Sequence, residues 1–316
     1  MNWETTLKQI TDETARLTAA YWVDAPSNLK LINNQINCVY RFEANNQGYY
    51  LRLTHETIRS QQELLGSIDF QRHLLSHKVP ICEAIPSKHG QWIEIIHQGS
   101  LQFLAHVCLE VPGDVMHFDH TEKAAYVQWG QALAQLHQAS LSYHPGDYHF
   151  LTGQDLWQET RDYAMRDTDP DIKTIFHRID DWFATQKHNH FYGLTHGDHR
   201  PGNVLYDGKQ IHLIDFDEPV YHSFLADIAM PFLDLSGKPF KTWQTKFDGF
   251  IEGYRNILPI PDDELNQLHW FTQMKSLNIY LWCKNNWCEP TAPGGKPRDV
   301  WLQELRHMAT HSLFEA

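Results

Sequence analysis

Two short segments carry most of the information in this chain: His196-Gly-Asp-His-Arg-Pro-Gly-Asn203, and then Ile214-Asp-Phe-Asp217. Asp198 precedes Asn203 by five residues, and Asp215 follows Asn203 by twelve. The apolar residues 204–206 and 211–214 predict two short strands, and Asp207-Gly208 between them is a strong hairpin signal. A hairpin would bring Asn203 and Asp215 to the same end, although they are distant in the sequence.

These residue types suit phosphoryl transfer from ATP. The reaction needs a base near the acceptor hydroxyl, and Asp198 at the tip of a loop can serve. It also needs magnesium, a hard cation that prefers oxygen ligands, which the Asn203 amide and the Asp215 carboxylate supply. An alternative is a hydrolase in which His196, Asp198 and His199 bind a metal, but this leaves Asn203 and the hairpin without a role.

The same segments resemble the aminoglycoside phosphotransferase and choline kinase family, and within it type II homoserine kinases and stress-response kinase A most of all. The similarity extends over roughly residues 30 to 235. Besides the motif it includes a first hairpin at 33–42, a third strand at 50–53, a helix ending at 132–137 and a helix around 226–229. The catalytic motif is the most specific part of this resemblance.

The resemblance implies an α+β, bilobal protein-kinase-like fold. Residues 1–109 would form a small nucleotide-binding lobe with an antiparallel sheet, and residues 110–316 a larger helical lobe for catalysis and acceptor binding. A cleft between such lobes is where ligands bind. The implied cofactors are ATP and Mg²⁺. The residues expected to bind the nucleotide and its metal are Asn37, Arg52, the backbone of Leu109 to Val111, Asn203 and Asp215.

Two positions need comment against the patterns of related kinases, the partner of Arg52 and Gly197. Arg52 itself stands where Lys or Arg is usual and can still contact phosphates. The helix Glu expected to pair with it should fall near Ser67, where there is none, so Glu63 or Asp69 would have to compensate or the ion pair is absent. Gly197 stands where kinases regulated by an activation loop carry Arg, which predicts constitutive activity.

The order of apolar patterns agrees with a strand-rich first half and a helical second half. The predicted strands are 29–32, 38–43, 49–54, 91–96 and 101–109. The predicted helices are 58–76, 121–139, 154–166, 170–186, 222–235, 240–254, 262–284 and 298–311.

Composition limits the classes of function. The 316 residues suffice for two domains, and a net charge of −13 argues against nucleic-acid binding. The sequence has no apolar run of membrane-spanning length and no signal-peptide pattern, so no membrane association is expected. Five scattered cysteines are typical of reduced thiols, which predicts a cytoplasmic protein.

The identity of the phosphoryl acceptor is less defined by the sequence. Asp217 and Glu218 follow the predicted metal ligand and could bind an ammonium group of a small acceptor, although loop bonding and solvation are equally good explanations. Three functions therefore stay open. They are a kinase of a small, amino-bearing hydroxyl compound, a protein Ser/Thr kinase, and a nucleotide-binding pseudokinase. The sequence does not predict the oligomeric state.

Overall fold

The computed structural model describes residues 6–34, 36–118, 122–186, 191–235, 238–292 and 295–311. The chain forms two compact units. The first contains Met1–Pro112 and His144–His149, and the second contains Gly113–Tyr143 and Phe150–Ala316. The functional roles predicted for residues 1–109 and 110–316 stay predictions.

The first unit is built on an antiparallel sheet. Its elements in the described ranges are α1 (Asp12–Ala19), β1 (Ser27–Asn34), β2 (Cys38–Ala44), β3 (Gln47–His55), α2 (Gln61–Ser76), β4 (Ala84–Ile85), β5 (Glu94–Gln98) and β6 (Leu101–Leu109). The strands follow the order β1-β2-β3-β6-β4, with β5 also paired with β6.

Alternation along β2 explains how this sheet forms. Every second residue from Cys38 to Ala44 is buried, which is the period of a strand with one face in the core. Tyr40 and Phe42 from this face pack with Leu51 and Leu53 of β3 in a continuous apolar cluster. The sheet positions Arg52, since Arg52 lies opposite Val39 on one side and His106 on the other.

The second unit is mainly helical, with short strand pairs that carry the catalytic segments. Its strands are β7 (Asp114–Val115), β8 (Tyr192–Thr195), β9 (Val204–Tyr206), β10 (Ile211–Leu213) and β11 (Val220–Ser223). Its helices are α3 (Lys123–Ser140), α4 (Gly153–Arg166), α5 (Pro170–Thr185), α6 (Phe224–Ala229), α7 (Gln244–Arg255), α8 (Asp262–Leu265), α9 (Leu268–Asn286) and α10 (Arg298–Thr310). Within the described ranges, none of the helices combines the length and apolarity needed to cross a membrane.

The predicted α+β class, with antiparallel strands followed by helices, is confirmed by these elements. The structure corrects several boundaries. The helix predicted at 58–76 begins at Gln61, because Ser60 and Glu63 form a reciprocal capping box. The helix predicted at 222–235 begins only at Phe224 and becomes a 3₁₀ helix from Met230. Pro231 lacks the N–H that would continue the α-helical bonding.

Candidate active site

The β9–β10 hairpin brings two predicted site residues together. The two strands are antiparallel, with Val204 opposite Leu213 and Tyr206 opposite Ile211. The pairing continues past the strands, since Ile214 N donates to Asn203 O at 3.0 Å. At the other end Asp207 Oδ1 accepts from Lys209 N and Gln210 N, which closes the turn. Asn203 and Asp215 therefore lie at the same end of the hairpin, 12 positions apart in sequence.

Asp198 is held through one of its two carboxylate oxygens. Its Oδ2 accepts from Asn203 Nδ2 at 2.9 Å and lies 3.0 Å from Arg200 Nε. Within the part of the chain that the structure describes, Oδ1 takes part in neither contact. The carboxylate is thus fixed in orientation while one oxygen is left to accept a proton from a bound hydroxyl group.

The amide of Asn203 is oriented by the same loop. Nδ2 donates to the main-chain oxygen of Asp198 at 2.8 Å and to its carboxylate at 2.9 Å. With both bonds made by the nitrogen, the oxygen Oδ1 is the atom that this side chain can offer to a cation. Asp215, beside it, has a left-handed backbone with φ of 67°. Such a conformation is strained for a residue other than glycine and is often found at functional sites.

The buried side chain of Asp227 on α6 fixes the start of the catalytic loop. Its carboxylate accepts from His196 N at 2.6 Å and from Gly197 N at 3.0 Å. A third bond comes from His137 Nε2 on α3 at 3.1 Å. Burial alone would raise the pKa of Asp227, but the hydrogen bond from His137 holds that pKa well below its ordinary value. Asp227 is therefore ionised and draws the loop nitrogens onto α6.

Two histidines beside Asp227, His137 and His199, are neutral. Complete burial lowers the pKa of His199 to about 3, and burial also lowers the pKa of His137. His199 Nε2 accepts from Trp129 Nε1 at 3.0 Å, so its Nδ1–H donates to the Asp227 carbonyl at 3.2 Å. The hydroxyl of Tyr254, whose pKa is raised by burial, donates to His137 Nδ1 at 2.8 Å. These bonds fix both rings beneath the loop.

Gly197 is required by the packing of the loop. Its φ is +84°, and a Cβ at this position would overlap the carbonyl oxygen of Glu218. The left-handed backbone alone disfavours any other residue, and the nearby carbonyl excludes one. The Arg found at this position in kinases with activation loops cannot fit this geometry.

The alternative of a histidine-bound metal has no support in the structure. His196 Nε2 donates to the Ile214 carbonyl at 3.0 Å, which links the catalytic loop to the segment before Asp215. Both ring nitrogens of His199 are hydrogen-bonded, Nε2 to Trp129 and Nδ1 to the Asp227 carbonyl. Over the described ranges, no group of three or more His, Cys, Asp or Glu side chains could hold a metal ion. The site instead offers the oxygens of Asn203 and Asp215, a donor set that fits Mg²⁺.

Of the predicted nucleotide-binding residues of the first unit, Arg52 and Leu109 lie on strands of its sheet, Asn37 lies between β1 and β2, and Val111 follows β6. Arg52, Asn37, Leu109 and Val111 are all partly exposed. Leu109 N donates to Glu83 O at 2.8 Å, and Glu110 N donates to Gly48 O at 2.9 Å. In the segment predicted to contact adenine, the N–H groups of Leu109 and Glu110 therefore make hydrogen bonds within the first unit.

The two acids considered as partners of Arg52 have different surroundings. Glu63 is exposed, and its carboxylate accepts from the backbone and hydroxyl of Ser60 at 2.7 Å each, as the helix cap of α2. Its role is therefore to begin the helix. Asp69 is half-buried on the same helix, 3.7 Å from Arg72. Ser67, where the family would carry Glu, is buried and accepts a long bond from Gln71 at 3.4 Å.

Directly behind the catalytic loop, the second unit contains a small pocket that is partly open to solvent. Thr195 at the end of β8 and Gly197 of the loop form one wall, α4 a second and α9 a third. Asp217 is half-buried and Glu218 exposed, and neither lines this pocket. Lys275 of α9 does line it, and its Nζ is 3.3 Å from the Gly197 carbonyl.

Sequence reasoning missed three side chains that the structure places at the site, namely Arg200, Asp227 and Lys275. Arg200 lies inside the motif, so an Arg two residues after the predicted base was a usable signal. The pattern around Asp227 predicts a helix but no role for its carboxylate, and no local pattern marks Lys275 as a site residue. Both reach the loop through tertiary contacts, with sequence separations of 31 and 78 residues.

A family model described as "Phosphotransferase enzyme family" matches residues 28–255. Amicoumacin kinase of Bacillus subtilis (strain 168) is 24% identical over 275 residues, covering 83% of this chain and 81% of that protein.

Solved structures show the same fold. The structure of amicoumacin kinase hAmiN in complex with AMP-PNP, Ca²⁺ and Ami has a TM-score of 0.84 at 21% identity, covering 99% of this chain and 97% of that chain. The microcompartment-associated aminopropanol kinase has a TM-score of 0.73 at 18% identity, covering 96% and 95%. These likenesses establish the fold, and they confirm the predicted kinase-like architecture.

Proposed function

The chain belongs to the phosphotransferase enzyme family, and from this premise we propose that it transfers the γ-phosphoryl group of ATP to a hydroxyl group of a small, amino-bearing molecule. The observation that carries the proposal is the geometry of Asp198, whose Oδ2 is held by Asn203 and Arg200 while Oδ1 is left for a substrate. The family predicted from the motif is confirmed. A special closeness to type II homoserine kinases or stress-response kinase A stays a prediction.

In this proposal Asp198 positions and deprotonates the acceptor. Its Oδ1 accepts the hydrogen of the attacking hydroxyl, and the proton moves to the carboxylate as the oxygen bonds to the γ-phosphorus. The bond from that phosphorus to the bridging oxygen breaks at the same time, and ADP leaves with its electrons. Asn203 and Arg200 prevent rotation of the carboxylate, so the acceptor oxygen is held in one direction. The exposed guanidinium of Arg200 keeps further N–H donors, which suit the charge on a transferring phosphoryl group.

Magnesium is the proposed metal, and the side chains of Asn203 and Asp215 would hold it. When bound, such an ion neutralises charge on the phosphate oxygens. The amide orientation of Asn203 supports this assignment because it presents oxygen, the ligand type that Mg²⁺ prefers. A solved relative whose complex contains AMP-PNP and Ca²⁺ also supports a nucleotide with a divalent ion.

The nucleotide itself is assigned to residues of the first unit. Arg52 would contact phosphates, Asn37 would lie in the hairpin that covers them, and the segment from Leu109 to Val111 would contact adenine. Because the N–H groups of Leu109 and Glu110 are used within the unit, the N–H of Val111 is the proposed donor to the base. These roles follow from the family pattern and the exposed positions of the side chains.

A small acceptor is favoured by the pocket behind the loop and by the relatives. This pocket is concave and is lined mainly by apolar side chains with a few polar groups, as sites for small molecules are. The relatives are named for amicoumacin and aminopropanol, two small molecules. We assign the amino group of the acceptor to Asp217 or Glu218, which follow Asp215 in the chain and lie outside the lining of this pocket.

Acceptor-dependent ADP formation tests the proposal. The purified chain is incubated with Mg-ATP and a panel of hydroxylated amines, amino acids and aminoglycosides, and a generic protein substrate is included. Turnover with a small molecule that disappears in Asp198→Asn supports the proposal. Turnover only with protein would replace it by a protein kinase, and ATP binding without any turnover would indicate a pseudokinase.

A further inference from the structure

The pocket behind the catalytic loop has an unusual wall on α9. Phe271, Met274, Lys275 and Asn278 all line it, and their spacing of three, four and seven residues places them on one helical face. Apolar residues of α4 and α6, among them Trp157 and Ala226, line other parts. Lys275 is thus a single ammonium group set in largely apolar surroundings.

The contacts of Lys275 leave its charge available. Nζ donates to the carbonyl of Gly197 at 3.3 Å, which is a long bond and uses one of its three hydrogens. Over the described ranges no carboxylate lies within ion-pair distance of Nζ. The surface lysines Lys88, Lys123 and Lys296, by contrast, each have an acidic partner at 2.5–2.6 Å.

The acid in the pocket lining does not take the place of such a partner. Among the described lining residues Asp227 is the carboxylate, but it is 1% exposed and its oxygens accept from two loop nitrogens and His137. Its charge weakens the positive potential of Lys275 without offering oxygens to the pocket. The ammonium of Lys275 therefore has no ion-pair partner among the described lining residues.

We infer that Lys275 binds a carboxylate group of the phosphoryl acceptor in this pocket, so that the acceptor is a zwitterionic hydroxyl compound rather than a purely cationic one. This rests on the proposed function, since it identifies the pocket as the acceptor site. Gly197, which accepts from Lys275, directly precedes Asp198. A carboxylate on Nζ would hold the acceptor beside the base, and the bond to Gly197 holds the ammonium in place.

Asn278 adds a second polar contact on the same wall. Its Nδ2 donates to Thr160 Oγ1 at 2.8 Å across α9 and α4. Thr160 Oγ1 in turn donates to Leu156 O at 3.0 Å. The amide is thereby oriented one helical turn from Lys275, where its remaining polar atoms can complement a carboxylate or amine.

Binding without turnover tests the inference independently of catalysis. Phenylpropionate, its amide and the matched amine phenylpropylamine are compared by saturation-transfer NMR, because the lining side chains of Trp157, Phe271 and Met274 offer apolar contacts to an aryl group. We expect the carboxylate to bind roughly tenfold or more tightly than the amide and the amine, the effect of a charge-assisted hydrogen bond. Lys275→Met should remove this preference, and Lys275→Arg should keep most of it. Lys173→Met, at an exposed position of α5, is the matched control.

Turnover separates this inference from the proposed function. L-serine and ethanolamine differ only by the carboxylate, as do L-threonine and its decarboxylated amine. In each pair that supports turnover, we expect the carboxylate member to have the lower KM, and Lys275→Met to raise that KM roughly tenfold with kcat little changed. If the carboxylate probe binds more tightly but no acceptor is turned over, the proposed function is contradicted and the role of Lys275 is not. Equal binding of the three phenyl probes, or an unchanged preference in Lys275→Met, would overturn the role of Lys275.

Discussion

The side-chain nitrogen of Asn203 donates to both the main-chain oxygen and a carboxylate oxygen of Asp198, at 2.8 and 2.9 Å. One amide thereby joins the proposed base to the proposed metal site. Its nitrogen fixes Asp198, and its oxygen stays available to a cation. Removing Asn203 would therefore affect proton transfer and metal binding at once.

For the base, Asp198→Asn should keep the fold and ATP binding but lower kcat by roughly 10²–10⁴, the usual contribution of a general base. An Asn still accepts from Asn203 and Arg200 but cannot take the proton. Turnover is measured by ADP release, and nucleotide binding by calorimetry. Asp248→Asn, at an exposed position of α7, is the control. Near-normal kcat in Asp198→Asn would remove Asp198 from the mechanism.

For the metal, Asp215→Ala should weaken Mg-ATP binding more than Asn203→Ala does, because a carboxylate binds a hard cation better than an amide. Asn203→Ala should in addition lower kcat, since Asp198 loses the donor that orients it. Calorimetry with and without Mg²⁺ separates metal-dependent from metal-independent binding. Unchanged Mg-ATP affinity in Asp215→Ala would contradict the assignment.

For the phosphate contact, Arg52→Ala should weaken ATP binding, and Arg52→Lys should be tolerated better because it keeps a positive charge. If Asp69 orients Arg52, Asp69→Asn should give a milder form of the same defect. Glu63→Gln is a matched comparison, since Glu63 serves the cap of α2. It should lower stability by about 1 kcal/mol or less and leave ATP affinity intact. Nucleotide titrations that show no loss in Arg52→Ala would remove Arg52 from the phosphate contact, and if neither acid matters, the pseudokinase hypothesis gains support.

For the acceptor, Asp217→Asn or Glu218→Gln should raise the acceptor KM while ATP affinity stays nearly constant, as expected when ground-state binding is lost. Higher ionic strength should mimic the change weakly, because salt screens exposed charges. Asp181→Asn, exposed on α5, controls for the loss of a surface charge. Should both substitutions leave acceptor kinetics untouched, the amino group of the acceptor is not bound by these acids.

For the loop anchor, Asp227→Asn should destabilise the protein by about 3 kcal/mol and lower kcat, because an amide nitrogen would face a loop N–H in place of an oxygen. Since folding lowers the pKa of Asp227, its stabilisation is complete above the ordinary Asp pKa and is lost as the pH falls through the lower, folded value. Urea titrations between neutral and acidic pH check both effects. A variant with unchanged stability and kcat would show that Asp227 does not hold the loop.

The hairpin and the loop could be predicted because their information is local. Asp207 and Gly208 form the predicted turn, and the apolar residues on both sides form the predicted strands. The β6 strand was predicted at its observed bounds, Leu101–Leu109. The predicted start of α2 was wrong because side chains hydrogen-bond to the backbone there, in the cap formed by Ser60 and Glu63.

What the sequence determined by itself is the α+β order of elements, the family, and the spacing of Asp198, Asn203 and Asp215, because turns and strands depend on residues close together in the chain. The tertiary structure alone decided that Asp227 holds the loop and that Lys275 enters the pocket. Those contacts join residues 31 and 78 positions apart. They depend on how α6 and α9 pack against the loop, and no local pattern of residues encodes the direction of such packing.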